Sequence, residues 1–132
     1  MRLIRGGTVV NANHTGRYEV LIVGEKIAAL IDPNSDMLDS VESWDCEIIN
    51  ASGKYVIPGG VDSHVHLQLP MSDKATSSDT FESGTQAAAW GGTTTVIDFA
   101  GQIKGSSVPD AIESRLAEAE GQCAIVSASF GW

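Results

Sequence analysis

The sequence predicts an α/β fold in which a small β-rich segment precedes the start of a parallel strand-and-helix array. Three observations carry that reading. Residues 1–57 are short apolar runs separated by glycine turns, strand-like and helix-like patterns alternate from Pro58-Gly59-Gly60 onward, and the last apolar run, Cys123 to Phe130, is again strand-like.

In the β-rich part, Arg2 to Arg5 and Thr8 to Val10 flank Gly6-Gly7, and Tyr18 to Val23 and Lys26 to Ile31 flank Gly24-Glu25. The second pair has the spacing of a hairpin whose glycine can take φ > 0. Glu47 to Asn50 and Tyr55 to Ile57 flank Ser52-Gly53. Between Asp32 and Glu47 six acids occur without a Lys or Arg, and they lack the fixed spacing of a calcium loop. This stretch is expected to be a solvated surface loop.

From residue 58 the pattern changes. Val61 to Leu67 is strand-like. Asp79 to Trp90 predicts a helix, with Ser78 or Asp79 as N-cap, an alanine-rich body and Gly91-Gly92 as its stop. The β-branched run Thr93 to Phe99 suits a strand buried on both faces. Pro109 to Glu120 predicts a second helix, with Ala111, Ile112, Leu116 and Ala119 on its apolar face and Gly121 as its stop. The domain division expected is therefore 1–57 and 58–132. An apolar strand followed by only Gly131-Trp132 is an unusual end for a domain. Two and a half β/α units are also too few to close a barrel. Both points lead us to expect an incomplete chain.

Composition narrows the partners. The 132 residues carry 8 Lys+Arg against 17 Asp+Glu, a net charge of −9, which disfavours nucleic acid and anionic membrane surfaces. No apolar run approaches the ~20 residues needed to span a bilayer, and the N-terminus lacks a signal-peptide stretch, so a cytoplasmic location is expected. Cys46 and Cys123 stand 77 positions apart outside any CxxC or Cys-His spacing, and are read as plain buried or half-buried thiols.

The stretch that carries chemistry is Asp62-Ser63-His64-Val65-His66-Leu67-Gln68-Leu69-Pro70. Residues two apart in a strand share a face, so Asp62, His64 and His66 are expected to project together. Two neutral imidazoles on one face can share a zinc ion and leave its other positions open. Asp62 is then a candidate for the acceptor that fixes one ring's tautomer. Asp98 is better read as a cap or loop hydrogen-bonding group than as one pointing into the site. Trp44, Trp90 and Trp132 are read as packing residues, and Gly59-Gly60 and Gly91-Gly92 as turns.

These residues carry a family resemblance. Lys54 through Pro70 resembles the first metal-binding segment of the cyclic amidohydrolases, within them the dihydropyrimidinase and hydantoinase group. The resemblance continues through Phe81 to Ala89, Gly91 to Phe99 and Lys104 to Ser107, and reaches back to Leu3 to Asn11. It covers essentially the whole chain, although family members are several times longer. It implies the N-terminal part of a metal-dependent (β/α)8 barrel, incomplete in this chain, preceded by part of a small β-sandwich. His64 and His66 match the pair that ligates the first of two divalent metals, usually Zn2+. The remaining ligands, a bridging carboxylated lysine, two histidines and an aspartate, belong to later strands, so the catalytic groups are expected beyond Trp132. Lys104 matches a loop lysine rather than the bridging one, and His14 matches no ligand.

The resemblance implies hydrolysis of dihydropyrimidines or 5-substituted hydantoins, small cyclic amides, to N-carbamoyl amino acids. It also implies a homotetramer at full length and an inactive 132-residue chain. Leu67-Gln68-Leu69-Pro70 lacks the acidic residue and Pro-Gly of dihydroorotases and allantoinases. The intact histidine pair departs from the collapsin response mediator proteins, which share the fold without the ligands. Allantoinase chemistry and a non-catalytic interaction protein of the same fold remain the alternatives. A stand-alone β-rich binding domain is the reading outside the family. Met71 matches a substrate-gate position, but the continuation Ser72-Asp73-Lys74-Ala75-Thr76 is more polar than the family's apolar loop.

Overall fold

The computed structural model describes residues 1–72 and 74–131; Asp73 and Trp132, both named above, lie outside the described residues. The chain forms two compact units, Met1–Pro58 and Gly59–Trp132.

The first unit contains β1 (Arg2–Arg5), β2 (Thr8–Val10), β3 (Thr15–Arg17), β4 (Glu19–Val23), β5 (Lys26–Ile31), α1 (Asp36–Glu42), β6 (Glu47–Asn50) and β7 (Tyr55–Val56). They build a four-stranded sheet in the order β5-β4-β1-β6 and a three-stranded sheet in the order β3-β2-β7. The β4–β5 hairpin turns on Gly24 at φ 62°, a conformation open to glycine at no steric cost. Between these strands the acidic stretch departs from the expected loop, because it contains α1. Ser35 caps it by accepting from the Met37 N–H at 3.3 Å, and Asp36 and Asp39 lie in the first turn, where the helix dipole favours negative charge. Leu38 and Val41, three apart, are buried and close a core with Leu3, Leu21 and Ile31. The helix thus forms because two apolar side chains among the acids find a sheet to cover.

The second unit contains β8 (Gly60–Val65), β9 (Pro70–Ser72), β10 (Ala75–Thr76), α2 (Phe81–Trp90), β11 (Thr93–Ala100), α3 (Val108–Ala119) and β12 (Val126–Gly131). Its main sheet is parallel, in the order β12-β11-β8, and β9 and β10 form a small antiparallel pair. Thr80 caps α2 and Ser107 caps α3, each through a reciprocal capping box, so α2 begins slightly later than expected. Leu67, Phe81, Val96 and Ala119 form the core of this unit.

Two expectations change here. β11 buries Val96, Asp98 and Ala100, while the alternate residues Thr95, Ile97 and Phe99 are only half-buried, so among the described residues the strand is fully covered on one face. The inner side of α3 is also rotated from the expected one, because Arg115 is buried where Leu116 is exposed. A helix face that reads as apolar admits a cation when a buried carboxylate stands opposite, and Asp98 is that carboxylate.

Candidate metal centre

The histidines sit at the C-terminal end of β8. The β8–β11 register runs Val96 to Asp62 and then Asp98 to Val65, so β8 carries one extra residue over this span. Such a bulge interrupts the two-residue alternation and re-aims side chains. The common face expected for Asp62, His64 and His66 therefore cannot be counted through from Asp62. What the bulge leaves together is the histidine pair: their Nε2 atoms lie 3.2 Å apart, with the rings edge-on at 5.0 Å between centroids. Phe99 of β11 backs both rings, stacked on His64 at 4.2 Å and tilted against His66 at 5.7 Å. Asp62 accepts from the backbone N–H of His64 at 3.2 Å, so its carboxylate is placed on the strand rather than on an imidazole.

The geometry fits a shared ion. Two nitrogens each about 2.05 Å from a tetrahedral metal stand roughly 3.3 Å apart, close to the observed separation. Neutral imidazole is also the right donor type for zinc. Among the described residues no group of three or more His, Cys, Asp and Glu side chains is placed to hold a metal, so the pair supplies two positions only.

Other candidates fall elsewhere. His14 lies in the first unit with its ring 5.3 Å from Tyr18. Met71, on β9, is 72% exposed. Lys104 is exposed in the segment between β11 and α3. Cys46 and Cys123 are free and half-buried, as expected of plain thiols. A cavity of about 510 Å³ opens between Leu69-Pro70 and the start of α3, with Phe99, Gln102, Ser106 and Asp110 in its wall. Neither histidine lines it, although Phe99, which contacts both rings, does.

Asp98 is placed as a loop hydrogen-bonding group. Its Oδ1 accepts from the Leu67 N–H at 3.1 Å, and its Oδ2 from Arg115 Nε at 2.5 Å. Arg115 was missed in the sequence. The one signal available was its place at the centre of the series Ala111, Arg115, Ala119, on the side of α3 that faces the sheet.

The sequence profile of the amidohydrolase family matches residues 55–127, more than half of the chain and the whole histidine segment. The chain belongs to the amidohydrolase family. Among its relatives in that family, D-hydantoinase of Streptomyces coelicolor is 47% identical over 124 residues, covering 93% of this chain and 26% of that protein. Dihydropyrimidinase of Rattus norvegicus is 43% identical over 113 residues, covering 85% and 21%. The crystal structure of D-hydantoinase from a Bacillus sp. superposes with a TM-score of 0.87 at 40% identity, over 99% of this chain and 27% of that one. Dihydropyrimidinase from Brevibacillus agri gives 0.85 at 40%, over 98% and 26%. The chain thus spans about a quarter of the length of the relatives it matches. No helix among the described residues is long and apolar enough to cross a membrane.

Proposed function

We propose that this amidohydrolase segment supplies the first two metal ligands of a hydrolase that opens dihydropyrimidine and hydantoin rings to N-carbamoyl amino acids. The observation that carries the reading is the convergence of His64 and His66 Nε2 at the C-terminal end of a parallel strand. Relatives named D-hydantoinase and dihydropyrimidinase supply the substrate class.

On this reading β8, β11 and β12 begin a (β/α)8 barrel, whose functional groups gather beyond the C-terminal ends of its strands. Residues 1–57 contribute to a β-sandwich. The complete site holds two divalent ions, Zn2+ by donor type, and its further ligands come from later strands of a longer, cytoplasmic, homotetrameric protein. A metal bound there supplies Lewis-acid activation of water and of the amide carbonyl. The residues of this chain would do the holding: His64 and His66 would supply their Nε2 atoms as ligands, Phe99 backs the ring planes, and Asp62 ties down the His64 backbone. Met71 is assigned as a gate that the substrate side chain passes.

The test is ring opening of dihydrouracil and hydantoin by the zinc-loaded full-length protein. We expect hydrolysis that His64→Ala and His66→Ala each abolish, and none from the 132-residue chain alone. Undiminished hydrolysis in both variants would overturn the assignment.

A further inference from the structure

We propose that Asp98 and Arg115 are a positioning pair that sets His66 by gripping the peptide groups of Leu67. The proposal rests on reading His64 and His66 as metal ligands.

β8 ends at Val65, so His66 follows the last residue of the strand and its ring depends on how the chain is held immediately afterwards. The N–H that Asp98 Oδ1 accepts belongs to the peptide joining His66 to Leu67. The next carbonyl, that of Leu67, accepts from Arg115 Nη2. Gln68 then turns at φ 49°, with its N–H donating to the Asp79 carbonyl at 2.7 Å. Both peptide groups of Leu67 are therefore fixed by side chains, just beyond the end of β8 at Val65.

The pair is itself braced. Arg115 donates through Nε to Asp98 and through Nη1 to Glu118 Oε2 at 2.6 Å, and its guanidinium lies 4.5 Å from the centroid of the Phe81 ring. Asp98 is 0% exposed and Arg115 5%. A buried ion pair carries a desolvation cost that a well-packed apolar pair avoids, so its presence calls for something apolar side chains cannot do. Holding a backbone N–H and a backbone carbonyl through one fork of hydrogen bonds is such a task. The leucine side chain is seated by the same surroundings: it packs in the core with Phe81, and a Cβ on Gly84 would overlap its Cδ2.

β11 thereby controls His66 from two sides. Asp98 faces the helices and fixes the His66–Leu67 peptide, while its neighbour Phe99 touches both imidazoles.

Two measurements on the full-length protein test this. The first is NMR of the metal-free protein labelled in histidine and leucine, reading the His66 imidazole and the Leu67 amide. The second is zinc affinity by chelator competition. Asp98→Asn keeps shape and an acceptor but removes the charge, and Arg115→Lys keeps the charge but loses the fork. Thr85→Val is the control, since Thr85 is fully buried in the same unit and accepts from the Ala124 N–H at 3.0 Å.

We expect Asp98→Asn to shift the His66 and Leu67 signals and weaken zinc binding about 10- to 100-fold, the range for groups that orient metal ligands. Arg115→Lys should fall between Asp98→Asn and wild type. Thr85→Val should lower the melting temperature while leaving the His66 signals and zinc affinity unchanged. If Asp98→Asn destabilises the protein but leaves those signals and the affinity as in Thr85→Val, the pair is only a stability element and the proposal is overturned. If the signals move as expected but the wild type binds zinc no better than the His64→Ala/His66→Ala double variant, the positioning role stands and the proposed function falls.

Discussion

Replacing Phe99 by leucine tests whether the metal pair is preorganised by packing. Phe99 makes two ring contacts, a stacked one with His64 at 4.2 Å and a tilted one with His66 at 5.7 Å. Aromatic pairs contribute about 0.5–1.5 kcal/mol beyond area burial. Giving the stacked contact the upper part of that range and the tilted one the lower part, the loss is about 1–2 kcal/mol. At 1.4 kcal/mol per decade this is at most about 5- to 30-fold in zinc affinity, since contact energy shared by the metal-free and metal-bound proteins cancels. The assay is chelator competition at neutral pH, with Phe130→Leu alongside. Phe130 is the register partner of Phe99 on β12 and is 62% exposed. Equal effects from the two substitutions, or none from Phe99→Leu, would refute the reasoning that ring packing sets the imidazole planes.

Two further expectations concern the framework. Leu38→Ala should lower stability by about 2–4 kcal/mol in urea melts, because Leu38 is buried against Leu3, Leu21 and Ile31, whereas Asp39→Asn on the exposed side of α1 should change it by less than about 0.5 kcal/mol; equal losses would show that α1 does not close that core. At α3 the Ser107 side chain first, and its backbone N–H second, hold the Asp110 carboxyl below its ordinary value. A depressed carboxyl stabilises the folded state above its unfolded pKa, so the capping contribution should be complete at neutral pH and fade as pH falls through the carboxylate range near about 4 and below. NMR titration should give Asp110 a midpoint below that of free aspartate, and a midpoint at or above it would contradict the capping geometry.

The parts of the fold legible in the sequence are those written in local signals. β5 spans the expected Lys26–Ile31, because the preceding Gly24 announces its turn. The α2 and α3 helices are announced by their glycine stops and, for α3, by Pro109, whereas their caps differ from the expected ones, Thr80 rather than Ser78 or Asp79 for α2 and Ser107 for α3; the histidine pair is visible because its two-residue spacing is local, at the end of one strand. What stayed hidden depends on long-range partners. The bulge that separates Asp62 from the histidine rings exists only relative to β11. The contacts that fix Leu67 join residues 31 and 48 positions apart, so neither Asp98 nor Arg115 shows its role locally. In α1 the acids hid two core residues, because Leu38 and Val41 become an apolar face only when a sheet lies beneath them.

His64 and His66 are proposed to bind one ion through their Nε2 atoms. Zinc-edge X-ray absorption on the zinc-loaded full-length protein, compared with its His64→Ala/His66→Ala variant, tests it most directly. We expect nitrogen scattering at about 2.0–2.1 Å that the double variant loses in part, together with zinc occupancy. An identical spectrum and identical occupancy in the two proteins would contradict it.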